Sequence, residues 1–217
     1  MNQARSDRIF AGLGIAYVVV TLVGVAFSSD LHGGGISDSA ARAAAQVVHP
    51  VAAHNWIGAY LELLAVGAFL AFANWVTSKL GEGLLPQLAR TIAGAYAAVT
   101  VASLGIMDGI AYRQGHGLTV PVARALETVN QATYVGTWFL TAFFLLAIGA
   151  QALKLARRRL GWSSIAVALI TLVATPSVDN FGQMSALLFF VWIVGAGIAL
   201  ARSAGDTTPA AAVVQHA

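Results

Sequence analysis

The chain contains no cysteine, which excludes disulfides, thiolate metal sites and thiol catalysis. It is almost as poor in charge, with 10% of its 217 residues Asp, Glu, Lys or Arg. A soluble domain carries about 25%. So little charge cannot cover the surface of a globule this size, and the expected solvent is lipid. No basic stripe runs along the chain apart from a short arginine cluster, so nucleic acid is not an expected partner. What the chain has in abundance is apolar side chains, 58% of the total, and its mean hydropathy is +0.76.

Six segments are long and apolar enough to be expected spans of a hydrocarbon core about 30 Å thick. They are Ile9–Phe27, Asn55–Val76, Thr91–Tyr112, Gln131–Leu153, Gly161–Val178 and Met184–Ala201. The expected fold class is therefore all-α, a polytopic membrane protein with one six-helix domain over residues 1–201 and a disordered tail over 202–217. Arg5 and Arg8 precede the first span, but its apolar run is long and "GVAFSSD" is a poor cleavage site, so it is taken as a retained helix.

Lysine and arginine set the expected orientation. With the N-terminus inside, Arg5, Arg8, Lys79, Arg90, Lys154, Arg157, Arg158, Arg159 and Arg202 are cytoplasmic, and only Arg42, Arg113 and Arg124 lie outside. Both termini are then cytoplasmic in a plasma membrane, and "KLARRR" is a topology anchor. The acids follow the opposite rule. Asp30, Asp38, Glu62, Asp108, Glu127 and Asp179 fall on the outer side, as do His32, His49, His54 and His116.

An internal similarity appears at an offset of 82 residues, where "RIFAG" (Arg8–Gly12) aligns with "RTIAG" (Arg90–Gly94) and "ISDSAARA" with "LTVPVARA". The His32-Gly33 and His116-Gly117 pairs precede the latter two once a two-residue gap is allowed. This suggests parallel repeats of a two-helix hairpin, over 8–79 and 90–155. Each outer loop is expected to hold helix: one from Ser37 or Asp38 to Val48, the other starting at Thr119-Val120-Pro121 and running into the fourth span.

The polar exceptions inside apolar runs are the candidate functional residues. Glu62 stands in "GAYLELLAVGAFLAF", about 10 Å below the outer surface at 1.5 Å per residue. A charge at such depth costs at least about 2–3 kcal/mol, so intramembrane acids tend to mark sites. Asp108 lies near the outer end of the third span in the small-residue pattern Gly105–Gly109, which also suits close helix packing. Glu127 and Asp179 border the fourth and fifth spans at the same level and are read first as solvated loop acids, with a place in the ligand-binding set as the second reading. Pro176 near the fifth span's end suits termination or local unwinding. Trp56, Tyr60, Trp75, Tyr112, Tyr134, Trp138 and Trp162 are read mostly as interfacial anchors, with Tyr60, Tyr134 and Trp138 also candidates to line a cavity. His32 and His116 complete the candidate ligand-binding set.

No metal or other cofactor is expected. No histidine pair has the i, i+4 spacing of a helical metal site, no histidine lies at bilayer depth as an axial haem ligand, and no embedded lysine offers a retinal Schiff base. "WIGAYLELLAVGAFLAFANWVTSKL", "ARTIAGAYAAVTVAS" and "TAFFLLAIGAQALKLARRRLGWSSIAVAL" together resemble a group of uncharacterised bacterial six-helix integral membrane proteins, a domain-of-unknown-function family. The resemblance implies a compact helical bundle and carries no activity.

Three functions fit these residues. The first is binding or translocation of a small ligand or cation through an outward-facing acidic cavity, with a homodimer expected because six helices leave little room for alternating access. The second is an intramembrane isomerase or cyclase using Glu62 and Asp108 as a catalytic acid/base pair on a lipid-soluble substrate. The third is a non-catalytic membrane interaction protein whose acids are structural.

Overall fold

A computed structural model describes residues 3–28, 52–113, 116–175 and 178–203. His32, His49, Asp30, Asp38, the expected loop helix at 37–48 and nearly all of the tail lie outside the described residues. Among the described residues the chain is all-helical: α1 (Gln3–Phe27), α2 (Ala53–Lys79), α3 (Leu84–Arg113), α4 (Val120–Lys154), α5 (Arg158–Ala174) and α6 (Val178–Ser203). Five of these are long and apolar enough to cross a membrane. The fifth helix, α5, has 17 residues and measures about 26 Å, slightly less than a full hydrocarbon core. The outside of the bundle is as apolar as the inside, with Val19, Leu22, Leu64, Val173, Leu187 and Val191 all exposed. A helix that is apolar all round belongs in lipid, and the protein is a membrane protein.

Each helix packs antiparallel against its neighbour in sequence, and α6 returns to α1, so the six close into a ring. The chain turns sharply between neighbours. Between α2 and α3 the backbone reverses through Gly81 at φ +82° and Gly83 at φ +133°, conformations that a Cβ disfavours. As the sequence suggests, α4 starts at Val120 with proline in its first turn. It continues unbroken for 35 residues, and its first turns lie on the end of α3 through Ile110, Leu118 and Ala123. Lys79, Arg90, Lys154 and Arg158 mark one end of the ring, called here the basic end; Phe27, Ala53, Arg113 and Val120 mark the far end.

Phe69 of α2 is the centre of the core. Its ring lies 5.3 Å from Tyr17 (α1), 4.8 Å from Tyr96 (α3), 5.9 Å from Phe144 (α4) and 6.0 Å from Phe189 (α6). Tilted and edge-on contacts at these separations are the favoured aromatic geometries. From this layer toward the basic end the interior is mostly apolar, with Phe72, Ala73, Val76, Leu80, Leu145, Ile148 and Ile193 fully buried and Asp7, Thr77 and Ser164 the buried polar exceptions.

Apolar burial does not hold helices together in lipid, because the tails are as apolar as leucine; close packing and interhelical hydrogen bonds do. The α1–α2 seam uses both. A Cβ on Gly24 would lie 2.8 Å from Glu62 Cγ, and one on Gly58 would lie 2.6 Å from the Gly24 carbonyl and 2.6 Å from Ser28 N. The two glycines therefore bring the backbones into contact, while Ser28 Oγ comes within 2.5 Å of Glu62 Oε1.

At the opposite end of the same seam, Asp7 is buried at 1% exposure. It accepts hydrogen bonds from Trp75 Nε1 at 2.9 Å and Lys79 Nζ at 2.7 Å. Helix α1 starts six residues before the expected span, and this extension carries Asp7 onto α2. The contact was not foreseen, and Trp75, expected as an interfacial anchor, is buried by it. Arg90 Nε donates to Thr77 Oγ1 at 2.9 Å between α2 and α3, and Trp192 Nε1 donates to Ser164 Oγ at 2.9 Å between α6 and α5.

These contacts set two stability expectations, both readable by thermal unfolding in detergent. Gly58→Ala destabilises by about 1–3 kcal/mol because the seam must open. Gly94→Ala, where an added Cβ meets nothing within 4 Å, is neutral or stabilises by up to about 1 kcal/mol; equal loss in both would contradict the seam. Asp7→Asn costs about 2–3 kcal/mol by leaving Lys79 without its counter-charge, and Asp7→Asn with Lys79→Met recovers most of that loss.

Candidate functional site

Most of the buried polar side chains among the described residues lie on the far-end side of the Phe69 layer, Asp7, Thr77 and Ser164 being on the basic side, and the helical repeat puts several of the far-end group on core-facing stripes. Residues four or seven apart share a helix face. Glu62 lies seven residues from Phe69, Thr21 four from Tyr17, Ser103 seven from Tyr96, and Ser185 four from Phe189. Each therefore stands one or two turns above an aromatic residue that points to the centre. Tyr17 Oη and Tyr96 Oη, 3.0 Å apart, form the polar edge of the aromatic layer itself. Above them Ser103 Oγ donates to Asn130 Oδ1 at 2.5 Å between α3 and α4.

Glu62 is 8% exposed and sits in the α1–α2 seam. Ser28 Oγ is 2.5 Å from its Oε1 and also 2.9 Å from the Gly24 carbonyl. A hydroxyl has one hydrogen. Ser28 can therefore donate to only one of these two acceptors at a time. Asp108 of α3 is half-buried and close enough to Glu62 for the two carboxyl groups to interact as charges. Two acids from separate helices thus share one electrostatic neighbourhood.

Buried polar atoms in this half that make no hydrogen bond among the described residues include Thr21 Oγ1 on α1, Trp138 Nε1 on α4 and Ser185 Oγ on α6. Trp138 is 7% and Ser185 2% exposed. The indole N–H of Trp138 lies beside the Tyr134 hydroxyl, with the rings edge-on at 5.6 Å, but outside hydrogen-bonding geometry. Leaving a buried donor or acceptor unmatched costs about 1–3 kcal/mol. Such groups on three helices of one half are what a polar guest or ordered water would satisfy.

The other candidates are dispersed. Tyr60 is exposed on α2, and Glu127 is half-buried on α4. His116 is exposed in the α3–α4 turn, its ring stacked on Tyr112 at 6.3 Å. Asp179 falls in the first turn of α6, with its side chain outside the described residues, as is His32. Among the described residues no three His, Asp or Glu side chains converge as metal ligands would. A shallow depression along α4, lined by Val120, Pro121, Arg124, Ala125 and Thr128, includes none of the acids.

The sequence reading passed over Thr21, Ser103, Asn130 and Ser185. Single hydroxyls and amides are common in membrane helices, and their signal is only the four- or seven-residue spacing from aromatic residues that proved central. Comparison of the chain with protein-family models, curated proteins and solved structures gives no match.

The unmatched atoms set a stability expectation of their own. Trp138→Phe and Ser185→Ala each remove an unsatisfied buried group, so in the ligand-free protein they are neutral or stabilise by up to about 1 kcal/mol in thermal unfolding. A loss above about 2 kcal/mol in either would mean that its polar atom is already satisfied.

Proposed function

We propose that this is an integral protein of the plasma membrane, with six spans and both termini cytoplasmic, that binds or translocates a small ligand or cation from the non-cytoplasmic side. Glu62 and Asp108 supply the charge, and Trp138, Tyr134, Ser185 and Thr21 supply the neutral polar contacts. The cluster of nine basic residues on the N-terminal side of α1 supports the orientation, and the offset similarity supports an origin by duplication of the α1–α2 hairpin.

The observation that carries this reading is the division of the interior. Unmatched polar atoms and two neighbouring carboxyl groups occupy the far half, and a closed aromatic layer with an apolar core occupies the basic half. Carboxyl groups above an aromatic layer suit a cation, because ring faces and carboxylates both attract positive charge. The Phe69 layer is then the barrier that any translocation must open.

One specific contact favours a second reading, a non-catalytic bundle: Glu62 is held by Ser28 within the glycine seam, where it serves packing alone. A single experiment separates the two. Purified protein is titrated with sodium, choline or tetramethylammonium chloride at constant ionic strength while thermal unfolding is followed. On the binding reading at least one cation stabilises the native chain, by about 2.7 kcal/mol at a hundred times its dissociation constant, and Asp108→Asn abolishes the effect without altering the unliganded midpoint. Unchanged midpoints with all three cations, in the native chain and in Glu62→Gln and Asp108→Asn, would favour the packing role.

A further inference from the structure

The basic end carries a feature that the far-half site does not use. The corner between α4 and α5 turns through Ala156 at φ +55° and delivers Lys154, Arg158 and Arg159, all exposed, around the N-terminus of α5. This placement is electrostatically unfavourable. The N-terminal pole of a helix is positive and attracts anions, yet the first turn of α5 has no acidic residue and Arg157 at the N-cap makes no side-chain cap. None of Lys154, Arg158 and Arg159 is in an ion pair among the described residues. Asp7, at the same end of the bundle, is already held by Lys79.

The face of α5 below these cations has its own order. Arg158, Trp162, Ala166, Leu169 and Val173 follow one another at intervals of four, four, three and four residues, which is a single helical stripe. All five are exposed, Trp162 at 63%, Leu169 at 53% and Val173 at 79%. Along the helix the indole lies about 6 Å below Arg158, and Val173 about 22 Å below it. Cation, then indole, then aliphatic surface is the order of phosphate, glycerol ester and acyl chain in one leaflet of a bilayer. Tryptophan favours that middle level because its ring is apolar and its N–H polar.

We propose that this stripe is a seat for one anionic phospholipid. Its phosphate is bound by Arg158, Arg159 and Lys154 at the amino end of α5, and one acyl chain lies along Ala166, Leu169 and Val173. The charge match requires an anion: a phosphate offsets both the clustered cations and the helix pole. The continuous apolar stripe selects a lipid over free phosphate, which would leave everything below Arg158 unused. A lipid held here braces α5, the shortest of the six helices, at the level where its hydrophobic length falls short of the bilayer.

The test uses the full chain reconstituted in phosphatidylcholine vesicles, with tryptophan quenching by brominated phosphatidylglycerol or brominated phosphatidylcholine. The seat predicts quenching that saturates at a low fraction of the glycerol lipid and has no counterpart with the choline lipid. Trp162→Phe removes that saturating component. Arg158→Gln with Arg159→Gln raises the half-saturation point roughly 25-fold, about fivefold per basic side chain, while Arg5→Gln with Arg8→Gln leaves it unchanged. All four positions are exposed, and circular dichroism checks that the variants are folded. Equal quenching by the two lipids, or equal effects of the two arginine pairs, overturns the seat in favour of a diffuse annulus. Displacement of the brominated lipid by inorganic phosphate at comparable concentration overturns it in favour of a simple phosphate site.

Discussion

Phe69 meets rings from α1, α3, α4 and α6 at 4.8–6.0 Å, so five of the six helices contribute to one aromatic layer. In lipid this contact has no competitor from water exclusion; it works by dispersion and ring electrostatics between surfaces that fit. The layer sets where each neighbouring stripe begins. Toward the basic end the buried residues are mostly apolar, among them Phe72, Val76, Leu80, Ile148 and Ile193. Toward the far end the same stripes carry Thr21, Glu62, Ser103 and Ser185.

Around this centre the seams are closed by short polar clasps. Ser28 with Glu62, Asp7 with Trp75 and Lys79, Thr77 with Arg90, Ser103 with Asn130, and Ser164 with Trp192 each join adjacent helices. Such bonds are worth modest free energy individually, averaging about 0.6 kcal/mol in membrane bundles. Their greater effect is on register, because a helix that slides by one residue loses its partner and exposes it to hydrocarbon. The two ends of the α1–α2 seam illustrate this: with Asp7 bound at one end and Glu62 at the other, the pair has little freedom to slide. That rigidity in turn fixes where Glu62 stands on the far-end side, which connects helix packing to the proposed site.

Much of this architecture is legible from residue patterns. Long apolar runs can become little other than membrane helices, because each backbone N–H and C=O must find a partner inside its own segment. Glu62 and Asp108 stand out for the same reason, as acids where ionised groups are costly. The start of α4 at Val120 is legible from Pro121, whose missing N–H is harmless only in a first turn. Other contacts leave almost no local trace. Asp7 and Lys79 are 72 positions apart and look like two ordinary residues at helix ends until the hairpin brings them level. Trp75 at the edge of a span resembles an interfacial anchor, and only the extension of α1 beyond its apolar run shows that it is buried. Gly24 and Gly58 are 2 of 22 glycines, and nothing local separates them from Gly94, which meets nothing.

Composition and hydropathy by themselves determined that the chain is helical and lives in a bilayer, and which acids are unusual there, because burial of backbone in lipid admits few solutions. Tertiary structure alone decided which face of each helix points inward. That choice depends on contacts between residues far apart in the chain, such as Phe69 with Tyr17, Tyr96, Phe144 and Phe189. In a helix apolar all round, no amphipathic stripe announces the inner face before the helices meet.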